Sequence, residues 1–210
     1  MKNQWARDDP AFVVVLLYLL LISVVSWCIG FGRSSIISYV SLALYVFAVD
    51  FALIGGVCAT ACWWLANTYL QGGDDRSRRQ VHQMQTDPPS RVEWLYAMDV
   101  HCNGLFVLIL ILHVLQYALL PILLQDGFWP AAASNTLYAA GLSTYCYIIF
   151  LGYNELPFLS LTEVFFYPVG LILAAWVASI ILAATNGFSC TWLAASIYFE
   201  NDEVAMAFGY

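Results

Sequence analysis

The sequence predicts an all-α fold: a polytopic membrane protein built as a bundle of about five transmembrane helices. Three observations predict it. Of 210 residues, 62% are apolar and 10% charged, and the mean hydropathy is +0.76, whereas a soluble domain is about half apolar and about a quarter charged. The apolar residues gather in runs that match a bilayer core of about 30 Å, which about 20 helical residues cross. The charged residues gather between those runs.

The first span is expected at residues 11–30. Its leader, MKNQWARDDP, balances Lys2 and Arg7 with Asp8 and Asp9. With no small-x-small cleavage site and a run longer than a signal peptide needs, the segment reads as a retained span. Gly30, Gly32 and Arg33 turn the chain into a second span at 36–66. The apolar stretch continues to Leu70, so Trp63, Trp64 and Tyr69 are expected in the interface or beyond it. Residues 71–91, QGGDDRSRRQVHQMQTDPPSR, form a hydrophilic loop with four arginines and no hydrophobic period. The third span, 101–124, follows the aromatic approach VEWLYAMD. Gln125, Asp126, Gly127 and Pro130 punctuate a turn to the fourth, 131–151, and GYNELPFLSLTE leads to the fifth, 164–184. One membrane domain, 1–187, with a tail at 188–210, accounts for the chain. No internal repeat is visible, and Gly170, Ala174 and Ala178 give the fifth helix a close-packing face.

All seven Lys and Arg precede position 92; beyond Arg91 there are eight acids. Lys2 and Arg7 share a side with the four-Arg loop and leave Arg33 opposite, so the positive-inside rule makes the N-terminus and the 71–91 loop cytosolic and the tail lumenal. The net charge of -7 argues against nucleic acid as a partner. The cysteines, Cys28, Cys58, Cys62, Cys102, Cys146 and Cys190, read as small hydrophobes. Cys58 and Cys62 lie one helical turn apart without a third ligand, and His82, His101 and His113 do not converge, so neither a metal centre nor another cofactor is expected. Without a G-x-S-x-G elbow or a zinc triad, the chain is not expected to be an enzyme.

Asp50, in the middle of the second span, is the most informative acid, because a charge at that depth needs a partner or a proton. On the third helix Asp99, Asn103, His113 and Tyr117 fall within about 40° of one line, with His101 nearly opposite. Asp50 and His113 sit at similar depth and are expected to pair. The plain reading is a bond between two helices; the alternative is a small proton-coupled transporter using both residues. The lack of repeats and of helices broken at mid-membrane stands against transport.

Three motifs map to the cytosolic face: KNQWARDDPAF at 2–12, VEWLYAMDVHCN at 92–103 and FLGYNELPFL at 150–159. Their aromatics beside mixed charges suit a protein partner or lipid headgroups. The candidate contact residues are Trp5, Arg7, Asp8, Asp9, Glu93, Trp94, Asp99, His101, Asn103, Tyr153 and Pro157.

By these motifs, together with Asp50, ILHVLQ at 111–116, NTLY at 135–138 and Phe165-Phe166-Tyr167-Pro168, the chain resembles the Unc-fifty (uncoordinated-fifty) family of eukaryotic Golgi membrane proteins. The resemblance implies a five-span Golgi protein, linked in some members to the inner nuclear membrane. It implies a role in vesicle-mediated protein transport and in maturation of membrane-protein cargo, with association to large guanine-nucleotide exchange factors for Arf GTPases. No catalytic residues come with it. It also implies RNA binding for some members, which Arg76, Arg78 and Arg79 are too small a patch to support. Family members are expected to carry a further N-terminal segment before W-A-R-D-D-P, a motif that here almost abuts Met1. Ser134 stands where a glycine commonly precedes NTL, and Glu155 where a small residue is usual.

Overall fold

The computed structural model describes residues 11–33, 35–71 and 91–199. Within them the chain is all-helical apart from one isolated antiparallel bridge between Gln71 and Leu159. The helices are α1 (Ala11–Gly30), α2 (Ile36–Tyr69), α3 (Trp94–Leu123), α4 (Phe128–Asn154), α5 (Thr162–Asn186) and α6 (Cys190–Tyr198). Among these, α1, α2, α3 and α5 are long and apolar enough to cross a membrane, four where the sequence predicted five. At 27 residues α4 has the length, about 40 Å. Ser134, Asn135, Thr136, Tyr138, Ser143, Thr144, Tyr145 and Tyr147 dilute its apolarity.

The position of α4 explains that composition. It packs along α3 and α5 and also receives α6. Ser134, Asn135, Tyr138 and Tyr145 find partners on other helices, whereas Thr136 and Thr144 donate to carbonyls of α4 itself. Along α3 the contact is antiparallel and close. Gly152 lies against Val100, Gly104 against Tyr145, and Gly141 against Leu108 and Leu112, while Gln116 Nε2 donates to the Tyr138 hydroxyl at 3.2 Å. From Tyr96, bonded to Gly152, to Gln116, α3 rises about 30 Å. That is the thickness of a bilayer core.

Helix limits depart from the sequence reading mainly at the loop-bearing end. There α3 begins at Trp94, about two turns before residue 101, with Glu93 in extended backbone as its N-cap, and α2 runs on to Tyr69. The aromatic approach VEWLYAMD is therefore helical: Ala97 and Val100 are buried against Ile149, Tyr153 and Phe165. Within α2 and α3 the backbone widens into π-helical stretches, Val46–Ile54 and Leu110–Leu115. They contain Asp50 and His113.

The other departure is α6. The sequence reading treated 188–210 as a tail, yet Cys190–Tyr198 is a helix docked on the bundle, with Thr191 and Ala195 fully buried. Gly187, at φ 73, ends α5 by donating its N–H to Ala183 O and lets the chain double back. At the far end of α6, Phe199 stacks on Phe31 with ring centroids 4.8 Å apart.

Candidate functional site

Three segments meet at the end of the bundle from which the 71–91 loop leaves. Asn67 joins them: its Nδ2 donates to Trp63 O and Val92 O, each at 3.0 Å, and its Oδ1 accepts from the Val92 N–H and from Gln71 Nε2, each at 2.9 Å. Trp63 Nε1 donates to the same Val92 carbonyl at 2.9 Å. The Ser160 N–H donates to Leu70 O at 2.9 Å beside the Gln71–Leu159 bridge. The Tyr96 hydroxyl donates to Gly152 O, and Tyr153 stacks on Phe165 at 4.1 Å between centroids. Thr162 Oγ1 donates to Asn154 Oδ1 at 2.9 Å, and Leu161 is held in left-handed backbone at φ 57. A leucine there is strained by about 1 kcal/mol or more and persists only where its surroundings over-determine it. The result is a knit platform formed by the end of α2, the start of α3 and the α4–α5 connection.

The expected contact residues divide on this platform. Trp5, Arg7, Asp8 and Asp9 lie outside the described residues. Trp94 and Pro157 are exposed, and Glu93, Asp99 and Asn103 half-buried. Tyr153 and His101 are inside, at 0% and 4% exposure. His101 Nδ1 shares a hydrogen bond of 2.7 Å with the Tyr145 hydroxyl, and its ring lies against Gly55, so it is a strut between α2, α3 and α4. Neither residue is placed to touch a partner directly.

The intramembrane pair also has a different arrangement from the one expected. Asp50 Oδ2 accepts a hydrogen bond of 3.0 Å from the Tyr198 hydroxyl of α6. His113 Nδ1 is bonded to Ser23 Oγ of α1. No hydrogen bond joins the two among the described residues. Trp27 lies edge-on to His113 at 6.5 Å and to Tyr198, the partner of Asp50, at 6.0 Å. The two residues thus bind different elements around one indole, and the π-helical stretches that aim them leave no mark in the sequence.

Sequence reasoning missed a second polar network. Gln116 Nε2 donates to Thr191 Oγ1 at 3.1 Å; Ser134 Oγ lies 2.7 Å from the same hydroxyl and accepts from the Thr191 N–H at 2.8 Å. Asn135 donates to Ser179 O and Phe188 O, each at 3.1 Å, and accepts from the Cys190 N–H at 2.8 Å. These bonds dock α6. The available signal was the polar residue closing ILHVLQ and the one opening NTLY.

Among the described residues no group of three His, Cys, Asp or Glu is placed to hold a metal ion.

The model of the UNC-50 family matches residues 1–199. The chain belongs to the UNC-50 family. A protein unc-50 homolog of Dictyostelium discoideum is 45% identical over 181 residues, covering 86% of this chain and 66% of that protein. The human protein unc-50 homolog is 35% identical over 201 residues, 94% of this chain and 70% of its own length. A protein GMH1 homolog of Schizosaccharomyces pombe is 30% identical over 197 residues, 94% of this chain and 78% of that relative. The chain thus spans slightly less than two thirds of the Dictyostelium protein. No solved structure matches. The UNC-50 family description and these relatives' names carry no catalytic activity.

Proposed function

We propose that this UNC-50 family chain is a five-span Golgi membrane protein, N-terminus cytosolic and C-terminus lumenal, that serves vesicle-mediated transport and membrane-cargo maturation by docking a large Arf exchange factor. The fifth span is α4, whose antiparallel contact with α3 runs for about the thickness of a bilayer core. With α4 across the membrane, the knit platform and the 71–91 loop share the cytosolic face, the side that the arginines select.

The observation that carries the docking reading is the platform itself. Asn67, Trp63, Tyr96 and Ser160 tie three chain segments together, while Trp94, Glu155, Pro157 and Leu161 stay exposed on it. A surface ordered in advance loses little conformational freedom on binding, and an exposed tryptophan is a favoured anchor. Transport by way of Asp50 and His113 has less support, since each is bonded to a different helix.

The test is capture of the exchange factor on tagged full-length protein. Trp94→Ala and the pair Glu155→Lys, Pro157→Ala are expected to weaken it about thirtyfold, as loss of an anchor worth about 2 kcal/mol does, at unchanged abundance. Undiminished capture by both variants would remove the platform as the docking surface.

A further inference from the structure

The end of the bundle opposite the platform holds a cavity of about 360 Å³ between the start of α2 and the end of α6. Ser38, Ser41 and Tyr45 line one side, and Ile197, Tyr198 and Phe199 the other. We propose that this cavity seats the uncharged head of a bilayer lipid that carries hydroxyl and carbonyl oxygens, as diacylglycerol and ceramide do.

Three hydroxyls carry the inference. Ser38, Ser41 and Tyr45 follow one another at helical spacing, so their side chains share one face of α2. Hydroxyls elsewhere in the bundle close on a carbonyl one turn back: Thr136 on Ala132, Thr144 on Ala140 and Thr185 on Ile181. Those of Ser38, Ser41 and Tyr45 have no hydrogen-bond partner among the described residues. Their depth makes that costly. The pairs Asn67 with Val92, Thr60 with Trp94 and Gly55 with His101 set α2 antiparallel to α3, and counting on from the last of them puts Ser41 and Tyr45 beside the Leu110–Leu115 stretch. That stretch lies inside the rise of about 30 Å from Tyr96 to Gln116 that matches a bilayer core. Hydrocarbon offers a hydroxyl nothing to bond, so these groups need a partner from outside the chain.

The charges decide the kind of head. Arg33, the one cation of the lining, already has a partner within the protein, and Tyr198 of the far wall is bonded to the acid Asp50 at 3.0 Å. The lining therefore keeps no cation in reserve to offset a phosphate, and burying an unpaired charge costs far more than burying a hydroxyl. An uncharged head that both donates and accepts satisfies the three hydroxyls without that cost. The cavity's volume lies at the lower end of the range for ligand sites, room for a head and not for its chains. Ile37 and Ile197, lining residues that are 76% and 58% exposed, continue it as an apolar path for those chains.

Full-length protein, stripped of lipid in mild detergent, tests this by the shift in its melting temperature and by the lipid retained in native mass spectra. The probes are dioleoylglycerol, an oleoyl ceramide, dioleoylphosphatidylglycerol and methyl oleate, which has an ester but no hydroxyl. One molecule of dioleoylglycerol or of the ceramide is expected to be retained and to stabilise the protein, and the stronger binder names the source. The phospholipid and the methyl ester should do neither. Ser41→Ala and Tyr45→Phe should each weaken retention about fivefold, as loss of one hydrogen bond does. The same changes should leave the melting temperature of the lipid-free protein unchanged or raise it, since they remove unpaired hydroxyls. A lower lipid-free melting temperature in both variants would show that the hydroxyls are bonded within the protein, and equal retention of the phospholipid or the methyl ester would show unselective filling by acyl chains; either result overturns the proposal. Unchanged retention of dioleoylglycerol and ceramide by the double variant would overturn it as well.

Discussion

Replacing Gly152 with alanine tests the close contact between α3 and α4. The new Cβ would lie 2.6 Å from Val100 Cγ1, 2.9 Å from Cγ2 and 3.3 Å from Cβ. Carbon atoms prefer about 3.5 to 4.0 Å, and Val100 is buried with Ala97, Ile149 and Tyr153 around it. Overpacking of this kind costs about 1 to 3 kcal/mol. Against it stands the helix propensity of alanine over glycine, about 1 kcal/mol. The net expectation is a loss of up to about 2 kcal/mol, lowering Tm by up to several degrees for a chain of this size. Val100→Ala alone removes two methyl groups and should cost about 1 to 2 kcal/mol. In the double variant the methyl group added at position 152 occupies the space that valine vacated. The pair should therefore be less destabilised than the sum by about 1 kcal/mol or more. Thermal unfolding of the four proteins in one detergent reads this out. A stabilising Gly152→Ala, or strict additivity of the two changes, would refute the packing of α4 on α3 at this point.

Other perturbations separate the polar contacts. Asp50→Asn and Tyr198→Phe should be coupled by about 0.5 to 1.5 kcal/mol in a double-mutant cycle, the range for hydrogen bonds between helices in lipid, whereas Asp50→Asn and His113→Gln should be additive; coupling only in the second cycle would reverse the assignment. Asn67→Ala leaves the Val92 N–H short of a partner while its carbonyl keeps the bond from Trp63 Nε1, a loss of about 1 to 3 kcal/mol, and should speed proteolysis at 91–93; unaltered cleavage would show that the platform does not depend on it. The buried Tyr153 hydroxyl has no partner among the described residues, so Tyr153→Phe should be neutral or slightly stabilising, while Tyr153→Ala should cost about 3 to 5 kcal/mol. A large loss in the phenylalanine variant would assign that hydroxyl a bond.

The helical class and the placing of apolar segments were legible because lipid leaves a strong compositional record: α1, α2, α3 and α5 appear where runs of Leu, Val and Ile announce them. α4 was legible by length and by its flanking turns, although its polar residues lower its apolarity below that of the other four. The start of α3 was placed late, because Glu93, Asp99 and His101 mark a water-facing approach to a hydropathy reader while Ala97 and Val100 in fact pack on α4 and α5. α6 was missed because its nine residues are too few for a span and its docking depends on Gln116, Ser134, Asn135 and Thr191 meeting in space. Asp50 and His113 lie in α2 and α3, helices long and apolar enough to cross a membrane. Their partners were not predictable, since Ser23 and Tyr198 lie in segments with no shared period, and the π-helical widening at both sites shifts the face that a 100° wheel assigns.

The side of the membrane occupied by the two ends of α4 decides between five spans and four. Single cysteines at Asp126 and Glu155, with a third at Ser77 in the loop, can be probed with an impermeant thiol reagent in sealed vesicles whose cytosolic face is outward. Five spans require positions 77 and 155 to react in intact vesicles and position 126 only after the membrane is opened. Reaction at 126 and 155 under the same condition would place both ends of α4 on one face, contradicting the five-span topology and the cytosolic docking platform together.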